Sequence, residues 1–278
     1  MSALTLTTGP GAGPVAVLAN PSGECEPQLL EIEGWARALG LDMVDLGTSA
    51  APNRIDADCE LIVALGGDGT ILRALQLGMA HRAAVLGVNF GTVGFLADID
   101  GAELTAALDA IASGAARVDE RTALAAEIDG VGQRGLVAFN DVVVARRPGF
   151  GTARLRLTVG GHALLQLNGD GLVVASPTGS TAYNVGAGGP AVAPSLDAIV
   201  LTPLATQGSP LRSLVIEGGE VVRVDVDPAS APLRVEIDGR IVHDVPDGAG
   251  LRICAAPRKA RLVRTQPRTF YDDLARRV

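Results

Sequence analysis

The apolar run Leu61–Leu65 ends at Gly66-Gly67-Asp68-Gly69-Thr70, and a helical pattern begins at once. Glycines lack a Cβ, so their backbone N–H groups can approach a ligand closely. A turn of this kind at a helix N-terminus suits an anion, because unpaired N–H groups and the helix dipole both favour negative charge. Strand, glycine turn and helix together read as a phosphate cradle, with a plain Asp-tolerant turn as the alternative. Asp68 is the odd member. About 4 Å from a phosphate charge, in an effective dielectric of about 20, its carboxylate would be repelled by about 4 kcal/mol. Such a group persists if it binds a cation or takes a proton. Both belong to phosphoryl transfer, where a base orients a hydroxyl and Mg²⁺ bridges the phosphates. The third glycine of a dinucleotide fingerprint is missing after Gly67-Asp68-Gly69. Lys259 is the only lysine, which removes the lysine of a P-loop and that of a protein kinase. Asp68 therefore reads as the base of a kinase without a P-loop.

Two further groups of polar residues stand out. Asn168–Ser195 holds the acid Asp170 and then Pro177-Thr178-Gly179-Ser180-Thr181-Ala182-Tyr183, followed by Gly186, Gly188, Gly189 and Pro190. These are loop-forming types, but a long polar loop in a compact chain is usually functional. Its hydroxyls and N–H groups suit ribose and base edges, and Tyr183 could cover a base. In Phe139–Arg147, Asn140 and Asp141 precede an apolar strand. Amide and carboxylate form a natural pair for ribose hydroxyls, although in isolation an Asx turn is the favoured reading.

Composition narrows the field. The 278 residues are 47% hydrophobic and 19% charged, enough for one large or two ordinary domains with a real core. Aromatics are 3%, so that core is built from Ala, Val, Leu and Ile. The net charge of −8 argues against a nucleic-acid surface. No apolar run approaches the roughly 18 residues of a membrane span, and the N-terminal segment lacks the features of a signal peptide. A soluble, cytoplasmic protein is expected. Cys25, Cys59 and Cys254 form no CxxC pair, and His81, His162 and His243 show no ligand spacing. Disulfides, zinc, a histidine-rich metal site and a Ser-His-Asp site are all disfavoured.

The elements that must position these residues follow from periodicity. Val15–Asn20, Leu41–Leu46, Glu60–Leu65 and Ala83–Phe90 read as strands. Helical spacing covers Glu26–Gly40, Thr70 to about Met79, and Gly101–Gly114. Alternation of this kind predicts an α/β layer with ligands at the carboxyl ends of the strands. After Arg117 short, valine-rich runs separated by turn residues predict an antiparallel β region, with Leu136–Arg146 inside one such run. The tail from Thr265 reads as an amphipathic packing helix with Phe270, Leu274 and Val278 four apart. The fold class is thus an α/β N-terminal domain plus a β-rich C-terminal domain. The first domain covers 1–116, with 258–278 returning to it, and the second covers 117–257.

Taken together, the motifs at Gly66–Thr70, Asn140-Asp141 and Asp170–Pro190 resemble those of the NAD kinase family. Val88–Ile99, Glu120–Leu124, Ser195–Leu204, Ile237–Gly239 and the terminal "FYDDL" are also similar to family segments. The likeness spans roughly residues 15 to 275. The glycine turn alone is shared with diacylglycerol, sphingosine and phosphofructo-kinases, so the Asp170–Pro190 loop discriminates. The resemblance implies transfer of a phosphoryl group from ATP to the adenosine ribose 2′-hydroxyl of NAD, with Mg²⁺ or another divalent cation. It implies Asp68 as general base, with Gly67, Gly69, Thr70 and Arg73 beside it. Asn140, Asp141, Arg154, Asp170, Thr178, Thr181, Ala182, Tyr183 and Gly186 are implied for the substrate site. It also implies a homodimer or homotetramer assembled through the β-rich domain, with no nucleic acid or membrane as partner.

The chain departs from the family pattern at several points. Thr206-Gln207-Gly208 stands where Pro-His-Ser is usual, Asp141 replaces a commoner Glu, Asn168 a frequent basic residue, and Arg240 a common Gln. Two rivals remain at this stage. A lipid kinase is suggested by Asn20-Pro21-Ser22-Gly23, but such an enzyme should carry an apolar trough or a basic membrane face. A non-catalytic dinucleotide sensor is suggested by the altered Thr206–Gly208 segment, but a mere binder would do better without Asp68.

Overall fold

Buried apolar runs and amphipathic stretches alternate along the first part of the chain. The computed structural model describes residues 2–9, 12–20, 25–48, 55, 59–90, 94–131, 135–208, 211–246 and 248–276. In chain order the elements are β1 (Ser2–Ala3), β2 (Val15–Ala19), α1 (Glu26–Ala38), β3 (Met43–Thr48), β4 (Leu61–Leu65), α2 (Asp68–His81), β5 (Ala84–Asn89), β6 (Ile99–Asp100), α3 (Leu104–Ala112) and β7 (Arg117–Arg121). Strands then dominate: β8 (Leu124–Ile128), β9 (Leu136–Ala138), β10 (Asp141–Arg146), β11 (Ala153–Val159), β12 (His162–Gly169) and β13 (Gly171–Ala175). The single turn α4 (Tyr183–Gly186) precedes β14 (Ala198–Leu204), β15 (Leu214–Glu217), β16 (Val222–Val226), β17 (Leu233–Ile237), β18 (Arg240–Asp244) and β19 (Gly250–Ala255). The chain closes on β20 (Ala260–Arg264) and α5 (Phe270–Ala275).

Two compact units result: Met1–Arg121 with Ala260–Val278, and Thr122–Lys259. Among the described residues of the first, an eight-stranded sheet runs β1-β7-β20-β5-β4-β2-β3, with β6 beside β5. From β3 to β20 the neighbours are parallel, and β7 closes on β20 antiparallel. Every residue of β4 and β5 is buried. Strands covered on both faces carry unbroken apolar runs instead of alternation, as these do. Ile32 and Ala36 of α1 and Leu104, Ala107, Leu108 and Ile111 of α3 share a core with Val15, Val17, Leu61, Val63, Leu65, Leu86 and Val88. Arg117–Arg121 belongs to this unit because it pairs with β20 along its whole length.

Two expected helices differ in extent. Helix α2 begins at Asp68, before Thr70, because Gly67 adopts the extended N-cap conformation. This places Asp68 in the first turn, where an acid is favoured by the helix dipole. The tail is helical only over Phe270–Ala275, started by a capping box between Thr269 and Asp272. Its buried side chain is Asp273, paired with Arg268, while Phe270 and Leu274 are half-buried. Val278, Pro21–Gly23 and the 91–93 part of the Val88–Ile99 segment lie outside the described residues.

The second unit holds two six-stranded sheets, β15-β14-β13-β10-β17-β18 and β12-β11-β16-β19-β8-β9. Val142, Val144, Leu172, Val174, Ile199, Leu201 and Val235 of one sheet pack on Leu124, Ala126, Leu155, Leu157, Val224, Leu251 and Ile253 of the other. The opposite face of the first sheet carries a smaller core of Val143, Val173, Ala175, Ala198 and Val200, covered by Val192 from the loop after β13. This double covering explains the unbroken valines of β10 and β13.

Candidate active site

The glycine turn sits at the carboxyl end of β4. The chain runs from β2 outward to β3 and then returns to the other side of β2 as β4. Open α/β sheets bind ligands at such a reversal of strand order. Gly66 N–H donates to the Val88 carbonyl (2.9 Å) and Asn20 N–H to that of Leu65 (2.8 Å), tying the turn to both neighbours. The Gly67 carbonyl accepts from Thr70 N–H (2.9 Å) and Ile71 N–H (3.2 Å). The amides of Asp68 and Gly69 thus belong to the first turn, where an α-helix has no backbone acceptor to offer. Gly69 is exposed, Gly67, Asp68 and Arg73 are half-buried, and Thr70 is buried. Arg73 Nη1 lies 3.4 Å from Gln76 Oε1.

Asp68 has partners that the turn alone does not reveal. Phe95 N–H donates to its Oδ2 at 3.0 Å and Leu96 N–H to its Oδ1 at 3.2 Å. The carboxylate is therefore held by two amides from the segment after β5. That segment must be bare where it crosses the acid: a Cβ on Gly94 would stand 1.7 Å from Asp68 Oδ1. Besides binding a cation or taking a proton, then, the carboxylate has a third source of stabilisation.

In the second unit the run Leu136–Arg146 is not one strand: Asn140 lies between two strands, and Asp141 opens the second. These two, β9 and β10, join different sheets. Asp238 causes the break. Its carboxylate accepts from Phe139 N–H (3.1 Å), Asn140 N–H (2.7 Å) and Asp141 N–H (3.4 Å). Asp238 holds a left-handed φ of 48°, an unusual conformation for a non-glycine residue. From the other side Ser176 N–H donates to the Asn140 carbonyl (2.9 Å), and the Ser176 hydroxyl donates to that of Phe139. Gly179 lies so close that a Cβ there would stand 1.9 Å from the Asn140 carbonyl oxygen. Asn140 remains half-buried, whereas Asp141 is 3% exposed. Burial first, then the charges of Asp238 and Glu236, push the Asp141 carboxyl up to about 7.

The long loop spends much of its polarity on itself. Ser180 Oγ donates to the Pro177 carbonyl (2.7 Å) and accepts from Val192 N–H (2.8 Å). Asn184, fully buried, donates from Nδ2 to the carbonyls of Ser180 (2.9 Å) and Pro190 (3.0 Å) and accepts from Thr202 Oγ1 (2.7 Å). Thr178 is also buried, Thr181 and Ala182 are half-buried, and Tyr183 and Gly186 are exposed. These last four form the outward part of the loop. Asp170 is half-buried and receives Arg146 Nε at 2.6 Å. Arg154 is exposed on β11, opposite Asn168 in register. In the departing segment, Ala205 takes a left-handed φ of 45° and Gln207 N–H bonds the Asn168 carbonyl at 2.9 Å. Sequence reasoning missed Asp238, Ser176, Asn184, Arg146 and the amides of Phe95 and Leu96. Only "IDG" at Ile237–Gly239 and the loop composition carried a signal for any of them.

An α/β unit with an acid in a glycine turn at the strand-order reversal, joined to a two-sheet unit with a braced polar loop, has the architecture of a P-loop-free kinase. Family models agree: the ATP-NAD kinase N-terminal domain matches residues 34–116 and the ATP-NAD kinase C-terminal domain residues 139–265. An NAD kinase of Heliobacterium modesticaldum is 38% identical over 79% of this chain and 78% of its own length. One of Symbiobacterium thermophilum is 33% identical over 94% of each. The chain belongs to the NAD kinase family. Its fold matches that of yeast NADH kinase complexed with NADH, with TM-score 0.78 and 20% identity over 96% of this chain and 90% of that one. It also matches an NAD kinase from Archaeoglobus fulgidus in complex with ATP, with TM-score 0.74 and 22% identity over 94% and 97%. Neither the lipid-kinase nor the sensor reading is favoured by these relatives.

Proposed function

We infer that this protein phosphorylates NAD with ATP to give NADP. In this reading the adenosine ribose 2′-hydroxyl attacks the γ-phosphorus, the bond to the β-phosphate oxygen breaks, and ADP leaves. Asp68 accepts the hydroxyl proton as general base. The amides of the first turn of α2, with Gly67, Gly69, Thr70 and Arg73, take the phosphates. Asn140 and Asp141, braced by Asp238, bind ribose hydroxyls, and Asp170, Thr181, Ala182, Tyr183 and Gly186 line the dinucleotide site, with Thr178 and Arg154 beside them. The observation that carries the reading is the Asp68 carboxylate, which lies in the first turn of α2 and is held by the Phe95 and Leu96 amides from the segment after β5.

Among the described residues no three His, Cys, Asp or Glu side chains gather to hold a metal. No step here is routed through a protein-held cation. Mg²⁺ enters the reading as a companion of ATP, since it keeps several waters and binds through one or two carboxylates plus substrate phosphates. A cytoplasmic setting accords with three free cysteines. No helix among the described residues is long and apolar enough to cross a membrane. A homodimer or homotetramer assembled through the second unit belongs to the same reading. It is supported by β12, an edge strand on which Leu164 is 41% exposed, beside a groove of about 420 Å³ lined also by Arg156, Thr158, Gln166 and Asp225.

The test is an assay of purified protein with NAD, ATP and Mg²⁺, reading NADP with a specific dehydrogenase. Product is expected, and Asp68→Asn should lower kcat by about 10³-fold while NAD still binds. A wild-type rate in that variant would refute the base, and no product from NAD or NADH would refute the activity.

A further inference from the structure

The segment that grips Asp68 is itself anchored at its far end. Its Asp98 N–H donates to the Gly87 carbonyl at 3.0 Å. The Asp98 side chain is 1% exposed. Its Oδ2 accepts from Thr265 N–H and Thr265 Oγ1, each at 2.7 Å, and its Oδ1 from Arg264 Nη1 at 3.4 Å. A carboxylate is buried so deeply only where donors and a cation compensate its lost hydration. Arg264 is braced in turn: its Nε lies 3.7 Å from Asp119, which accepts from Arg121 Nη2 at 2.8 Å. A continuous polar chain thus runs from β7 through the end of β20 to Asp98, and by three residues of backbone to the amides on Asp68. All of it lies within the first unit.

We propose that Asp98 is a positioning residue for the phosphoryl transfer. Clamped by Thr265 and Arg264, it holds residues 94–98 so that the Phe95 and Leu96 amides keep the Asp68 carboxylate aimed at the incoming hydroxyl. The proposal rests on the reading of Asp68 as base. The physical reason is leverage. Two backbone amides define the plane of a carboxylate, and those amides sit on a segment fixed at its far end by Asp98, which bonds the Gly87 carbonyl, and by the pairing of β6 with β5. If Asp98 lets go, the loop shifts, and a displacement near 1 Å costs about 10²-fold in rate. Substrate contacts need not change with it.

Three variants test this in steady-state kinetics. Asp98→Asn weakens the clamp with little change of volume, Thr265→Val removes one donor, and Thr265→Ser retains it. The expected result is a kcat lowered about 10²-fold in Asp98→Asn and severalfold in Thr265→Val. The KM values for NAD and ATP should stay within about twofold of wild type, and Thr265→Ser should restore kcat. A merely structural role would not separate kcat from KM or show the hydroxyl rescue. If Asp98→Asn does not fold, the Thr265 pair decides alone. Wild-type kcat in Asp98→Asn and Thr265→Val, with Asp68→Asn inactive, would overturn the positioning role and leave the base intact. Wild-type kcat in Asp68→Asn would remove both.

Discussion

Two carboxylates illustrate opposite solutions to burial. Asp68 sits half-buried at a helix N-terminus and takes two amides, so its charge is supported from several sides. Asp141 is nearly fully buried, with Asp238 and Glu236 raising its proton affinity further. Its folded form holds a proton up to about pH 7, whereas the unfolded chain releases it near 3.8. The sign follows: between these values the folded state binds more protons, so stability falls as pH rises from about 4 to 7. A rise from 3.8 to about 7 corresponds to something of order 4 kcal/mol. Urea unfolding at pH 5 and pH 8 should show the loss in wild type, and Asp141→Asn should flatten it and be the more stable protein at pH 8. Equal pH dependence in both proteins would show that Asp141 is not the titrating group. A residue that costs stability at neutral pH fits a position kept for function over folding.

Periodicity located the central strands well because their signal is local. Val15–Ala19, Leu61–Leu65 and Ala84–Asn89 lie inside their predicted runs. It failed where a distant side chain overrides it. Leu136–Arg146 looks like one strand, but Asp238 draws off three successive amides and the run breaks at Phe139-Asn140. Leu214–Glu217 and Ala260–Arg264 formed strands without having stood out as apolar runs, the latter with arginines at two of its five positions. The turn at Asn140 also depends on the loop after β13 coming within contact distance at Gly179. Gly179→Ala would drive a Cβ into the Asn140 carbonyl, a backbone atom with little room to give. The expected outcome is a loss of about 1–3 kcal/mol in urea unfolding and a raised KM for NAD. Unchanged stability and KM would mean that the turn tolerates a shift the structure does not suggest.

Each unit has its own core, yet the first is completed by the last part of the chain, since β20 lies between β5 and β7 in its sheet. The second ends at one edge in β12, eight residues long with an exposed leucine. Such edges invite pairing or covering unless they are protected. If a second copy covers it, sedimentation velocity should give a multiple of the chain mass, and Leu164→Glu should shift the population to monomer. A monomeric wild type would refute assembly. What the sequence alone determined was the alternation of α/β with a β-rich part, the glycine turn with its acid, and the family. These rest on short-range spacing and on motifs that read without coordinates. Only the tertiary structure decided what holds those motifs in shape: Phe95 and Leu96 on Asp68, 27 and 28 residues away, and Asp238 on Asn140, 98 residues away. A hydrogen bond between distant positions leaves no periodicity behind. It exists because packing brings a donor and an acceptor within 3 Å or so, and no stretch of sequence records that meeting.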